Sequence, residues 1–354
     1  MSLPLEKADE SKFSITTSGN LNVWLQQMGG SIVFSTYQVG KVLFLGLNTQ
    51  DNLSVFERTF PRSMGIGISK DYPSLLLATR EQLYEFDNLL PQGKCQGEHD
   101  ALFSPHRAWI TGDLDVHDIA YDGDGRAVFI NTMFNCIATT SRGYSFKPIW
   151  KPSFISEYVA EDRCHLNGLC MQDGKPKYAT CVAKTNVAKG WRDHRVDGGM
   201  LIDVVNNKIV VDGFSMPHSP RLHNGRLWML NSGKGEFGWV DVEKGVFNPI
   251  SFCPGFARGL SLVGSYAIIG LSEPRHGKVF DDLPLQDALE SKDTKPYCGL
   301  QIVDLENGNT VEWLRIEGVI SELFDVGFLE GIKNPSAIGV IGPEIHHTIS
   351  IDFN

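Results

Sequence analysis

No apolar run in this chain approaches the roughly 18 residues that a membrane-spanning helix needs. The N-terminal stretch MSLPLEKADESK carries charge where a secretory signal would carry an apolar core, so a cytoplasmic location is expected. Basic blocks are missing as well: Lys and Arg number 32 against 42 Asp and Glu, and the formal net charge is −10. Nucleic acids and anionic membranes both require clustered cations, so neither is expected as a partner. The seven cysteines (Cys95, Cys136, Cys164, Cys170, Cys181, Cys253 and Cys298) form no CxxC pair. Buried thiols are expected rather than a disulfide frame. Cys164, beside His165, reads more simply as such a thiol than as a nucleophile. GKGEFG at Gly233 lacks the Lys-Ser/Thr ending and the strand-to-helix context of a phosphate loop, and no nucleotide cofactor is expected.

Long amphipathic helices are almost absent, and short strand-like runs separated by turn residues take their place. These runs recur in a fixed order. A segment opening on a polar residue comes first: PRSMGIGIS from Pro61, VHDIAYD from Val116, CHLNGLCM from Cys164, PHSPRL from Pro217, ARGLSLV from Ala257 and FDVGFLE from Phe324. An apolar run ending in a small polar residue follows, then a run closing on Asp, a turn and a fourth run. Four strands per unit describe a propeller blade. The anchors Arg62, His117, His165, His218, Arg258 and Asp325 define six units. The expected fold is an all-β, six-bladed β-propeller spanning residues 1–354 as a single domain. Its last blade would be completed by N-terminal strands, which removes an exposed sheet edge. Seven blades are the alternative, should the N-terminal runs build a blade of their own.

In such a fold, the starts of first strands and the ends of second strands collect at one mouth of the channel. The loops between second and third strands lie there too, and in this chain they are the long, charged ones. An elaborated face on a rigid scaffold is where function is expected. The longest of these loops is an insertion at 273–297, read as a lid whose stretch DLPLQDALESK forms a short helix.

Three anchors are histidines, and their spacing predicts one shared register for His117, His165 and His218. Converging neutral imidazoles suit one divalent transition metal, with Asp118, Glu322 and Asp325 near enough to orient them or complete the shell. Without a metal the same residues offer acid and base, with Arg62 and Arg258 as bidentate clamps for a carboxylate or enolate. The expected catalytic set is therefore His117, His165, His218, Arg62, Arg258 and Asp325. Asn131, Asn167, Asn231, Trp191, Arg192, His194 and Arg275 are expected to line the substrate site. The plainer alternative is that the histidines bond neighbouring backbone and the polar ring only lines a wet channel.

HLNGLC, GWRDHRVDGGMLIDV, SMPHSPRLHNGRLWMLNSGKGE, ARGLSLV, IGLSEPR and WLRIEG together resemble a bacterial family of conserved hypothetical proteins common in cyanobacteria. The likeness covers nearly the whole chain. More distantly, NGLC at Asn167 is similar to the Asn-Gly-Leu segment of six-bladed gluconolactonase and strictosidine-synthase-like propellers. That second likeness implies a calcium shell of Asn, Glu and Asp, and a scaffold that hosts lactone hydrolysis or carbon–carbon bond formation. Here His replaces carboxylate at several equivalent positions. The expected function is an enzyme of specialised metabolism acting on a small carbonyl- or carboxylate-bearing molecule at the loop-rich mouth. Acid–base or metal-assisted cyclisation, carbon–carbon bond formation or lactone chemistry would follow. A non-catalytic propeller binding a protein or peptide is the alternative.

Overall fold

A computed structural model describes residues 13–69, 73–273 and 282–351. Six antiparallel sheets surround a channel, and the fold is a six-bladed β-propeller. The inner strands are Ile66–Ile68, Val116–Tyr121, Leu166–Gln172, Pro217–His223, Phe256–Val263 and Leu323–Glu330, for blades one to six. Inner and second strands are buried almost throughout, as in AVFIN at Ala127–Asn131, because both faces pack on neighbouring blades. Outer strands alternate, as in Lys147–Trp150, with one face in water.

Closure follows the expected plan. The C-terminal strand Leu323–Glu330 is the inner strand of blade six, and Gly30–Thr36, Lys41–Leu47 and Leu53–Thr59 complete that blade. Two further edge strands go beyond that plan. Phe13–Thr17 adds to the outside of blade five, and Pro335–Ala337 pairs in parallel with Ala101–Phe103 on blade one. Both chain ends are thus stitched to blades other than the shared one. The helix Leu21–Met28 is a further addition: Leu21, Trp24 and Leu25 occupy its buried face at i, i+3 and i+4, and Gly29 ends it at φ 65°.

Hydroxyl groups tie inner strands to the blade before them. Ser35 donates to the Met64 carbonyl at 2.6 Å, Thr132 to Leu166 at 2.7 Å, Ser232 to Ala257 at 2.6 Å and Ser272 to Leu323 at 3.2 Å. These bridges fix a common register. One residue further along the inner strands, Gly65, His117, Asn167, His218, Arg258 and Phe324 occupy equivalent positions. Among the described residues, no helix is long and apolar enough to cross a membrane.

Candidate functional site

The equivalent residues meet at the axis on the mouth carrying the long loops. The His117 ring lies 6.5 Å from that of His218 and 5.4 Å from Phe324, and the Arg258 guanidinium stacks 4.5 Å from the Phe324 ring. His165 is not in this register. It lies two residues before Asn167, at φ 50°, and reaches the cluster from the rim with its ring 4.7 Å from His117. The three histidines therefore come together, though through two different backbone positions.

Each imidazole has a fixed tautomer. Nδ1 of His117 donates to the Asp115 carbonyl at 2.9 Å and lies 2.9 Å from the Thr132 hydroxyl, whose own hydrogen goes to Leu166. Nδ1 of His218 donates to the Met216 carbonyl at 2.9 Å and faces Ser232, whose hydrogen goes to Ala257. With hydrogen on Nδ1, a neutral ring keeps its lone pair on Nε2. Nε2 of His218 receives the Asn167 amide at 3.3 Å, while the Asn167 oxygen accepts from Thr180 at 2.7 Å. Burial, reinforced by neighbouring positive charge, holds His117 and His218 well below the usual imidazole range.

Arg258 is the exceptional cation. Its side chain is 11% exposed, Glu322 approaches only to 3.7 Å, and its Nε has no hydrogen-bond partner among the described residues. Burial lowers its pKa. Arg62 contrasts with it: ion pairs to Asp115 at 2.8 Å and Asp113 at 3.0 Å, and a bond to the Tyr37 hydroxyl, occupy its guanidinium. It stands three residues ahead of the ring register and reaches the cluster through Asp115 and through Tyr37, whose ring stacks on Phe324 at 5.3 Å.

The Asp325 carboxylate accepts the main-chain N–H of Ile66 at 2.8 Å and of Val326 at 2.9 Å, bracing blade six to blade one. Asp118 likewise accepts Leu169 N–H at 2.9 Å and pairs with Arg221. Asn131 accepts from Phe134 N–H, and Asn231 spans Ser215 N–H and Glu236. Both asparagines fasten loops, because their strand positions point them sideways. The residues immediately after them, Thr132 and Ser232, are the ones that meet the histidines. Arg192 and His194 are exposed on the rim, whereas Trp191 is buried. The Trp191 ring stacks on His165 at 4.1 Å. Arg275 lies outside the described residues.

From the insertion, the helix Pro284–Ser291 opens on Pro at its first turn. Leu283, Leu285 and Leu289 bury against Val182, Trp191, Met216 and Phe256, at the mouth occupied by the histidines. Non-Gly, non-Asx residues with left-handed backbone are Arg62, His165, Lys189, Met216 and Ser219 among the described residues. All flank inner-strand entries or the rim loop here, the kind of strain that accumulates at functional sites.

Among the described residues, no group of three or more His, Cys, Asp or Glu side chains is arranged to hold a metal ion. Asn167 faces the His218 lone pair, and a guanidinium lies beside the rings. The calcium shell that the distant likeness implies does not match this donor set. Thr180 donates to the Asn167 oxygen, and imidazoles stand in place of carboxylates.

Residues 19–338 match the domain of unknown function DUF4915. The chain belongs to the DUF4915 family. No curated protein matches it by sequence. In structure, this DUF4915 chain is similar to a chain of a nidogen/laminin complex, with TM-score 0.56 and 10% identity over 86% of this chain and 99% of that one. A Bacteroides caccae protein of unknown function gives TM-score 0.49 at 10% identity, covering 85% and 99%. Virginiamycin B lyase from Staphylococcus aureus gives 0.40 at 11%, covering 87% and 100%. The first likeness supports the propeller fold of DUF4915 and nothing finer.

Asp115, Asp162, Tyr37 and Arg221 also stand around the axis, though the repeat pattern does not mark them. Asp115 and Asp162 sit two and three residues before a histidine anchor, which is a readable signal. Tyr37 and Arg221 are brought in by other blades.

Proposed function

We propose that this protein is an enzyme acting on a small carbonyl- or carboxylate-bearing molecule, by proton transfer at the loop-rich mouth. The observation that carries the reading is Arg258: a buried guanidinium whose Nε is unsatisfied. Leaving a buried donor unpaired costs about 1–3 kcal/mol, more when charged. A planar oxyanion is the partner a guanidinium fork fits best. In that position the cation opposes the negative charge that develops when a proton leaves a carbon next to a carbonyl. The imidazole Nε2 lone pairs beside it supply the acceptor.

The test is binding of acetate, pyruvate and malonate, followed by thermal shift and calorimetry. Wild-type protein should respond to at least one of these acids, and Arg258→Lys should lose at least tenfold in affinity because the fork is gone. An equal response in both proteins, or none in either, sinks the anion reading. A folded His117→Ala/His165→Ala/His218→Ala protein that keeps full turnover would remove the acid–base half and favour a binding propeller.

A further inference from the structure

We infer that Asp162 is the positioning residue that makes His165, alone of the three histidines, the proton acceptor of this site; the inference rests on the acid–base reading above. The Asp162 carboxylate lies 3.1 and 3.0 Å from Nδ1 of His165, and its second oxygen accepts Nε1–H of Trp191 at 2.8 Å. An ionised carboxylate only accepts, so the hydrogen of the neutral imidazole sits on Nδ1 and the lone pair on Nε2. The Trp191 ring stacks on that imidazole with planes 28° apart. Tautomer, tilt and position of His165 are therefore set by two residues, Asp162 just ahead of it in sequence and Trp191 from the rim loop.

This separates His165 from the other two. A proton arriving on Nε2 of His117 or His218 would create an imidazolium whose Nδ1–H rests on a main-chain carbonyl, with Arg258 nearby and, for His117, the Asp115 carboxylate no closer than 3.8 Å. A proton arriving on Nε2 of His165 creates an imidazolium in direct contact with a carboxylate. The charged and titratable groups around His165 are Asp162, Asp115, His117 and His218.

The step balances simply. Nε2 of His165 takes a proton from the carbon beside the substrate carbonyl, and the C–H electron pair remains on the substrate as an enolate facing Arg258. The same proton returns from Nε2 to carbon, or to a leaving oxygen, in the second half of the reaction. Asp162 keeps its contact with Nδ1 throughout, and Trp191 keeps it from turning.

Histidine 15N–1H correlation spectra of the full chain test this without any ligand. In the wild type all three rings should carry hydrogen on Nδ1. Asp162→Ala removes the oxygen that lies against both Nδ1 of His165 and Nε1–H of Trp191. The Nε2–H form of His165 should then appear, with His117 and His218 unchanged. Trp191→Phe, which keeps the stacked ring but frees the carboxylate, should leave the wild-type tautomer. A wild-type His165 carrying its hydrogen on Nε2 overturns the inference, as does an Asp162→Ala protein with His165 still wholly Nδ1–H. If the variant fails to fold, the wild-type spectrum alone decides. Because no acid is present, this result and the Arg258 binding result can fail separately.

Discussion

Nη1 of Arg221 stands 2.8 Å from Oδ2 of Asp118, and Nη2 stands 3.1 Å from Oδ1, so blade four grips blade two across the inner face of blade three. The same guanidinium donates to the Leu169 carbonyl at 2.8 Å and comes within 4.0 Å of Asp325 on blade six. Three alternate blades are thereby strapped together below the histidine cluster. Arg221→Met should destabilise the fold by about 3–5 kcal/mol, since it leaves buried carboxylates without their cation. Urea unfolding of the two proteins measures it, and a loss under about 1 kcal/mol would show that the strap contributes little.

The strap also sets a pH dependence. Burial, with Asp118 beside it, pushes the Asp325 carboxyl up to about 7 from an ordinary 3.8. Between those values the native protein binds more protons than the unfolded chain, so stability falls as pH rises. The contribution is complete below the unfolded value and is lost as pH climbs through about 7. Asp325→Asn should flatten this part of the profile. Stability measured at both ends of the window in wild type and variant checks the sign; a wild type that gains stability over this window without the Asn variant doing so would reverse it.

Arg258 should carry a stability cost for function. Replacing it with Met together with Glu322→Gln removes both members of the buried pair 3.7 Å apart and keeps the stem that packs on Phe324. The double variant is expected to unfold at higher urea, by about 1 kcal/mol or more, and to lose its response to acids. A destabilised double variant would mean that the guanidinium is a structural group.

Thiol reactivity should follow burial. Cys95 is the exposed cysteine and the other six are buried. Burial, and Cys181 alongside, raises the Cys164 thiol well above its ordinary value, and burial lifts Cys136 to about 12. Thiolate is the reactive form. Iodoacetamide should therefore label Cys95 in the native protein and all seven after unfolding, read by mass spectrometry. Fast labelling of Cys164 in the folded state would restore it as a candidate nucleophile.

Local patterns in the sequence determined the blades. Alternating burial and turn residues are short-range signals, so six inner strands, the shared closing blade, the loop-rich mouth and the helix in DLPLQDALESK are all legible in the order of the residues. Burial of the cysteines is legible too, apart from Cys95. The register at the axis is not. Spacing aligns His165 with His117 and His218, but a left-handed turn at Asp162 and His165 sets it two residues back. The repeat points to Asn131 and Asn231 where Thr132 and Ser232 touch the rings, a one-residue error that turns a side chain to the other face of a strand. Only tertiary structure decided that the Arg62 fork is filled by Asp113, Asp115 and Tyr37 while Nε of Arg258 is left without a partner among the described residues. Only it placed Arg221 against Asp118, 103 residues away. Such contacts join different blades, and no local periodicity encodes them; they exist because closing the ring brings residues from separate repeats to a common axis.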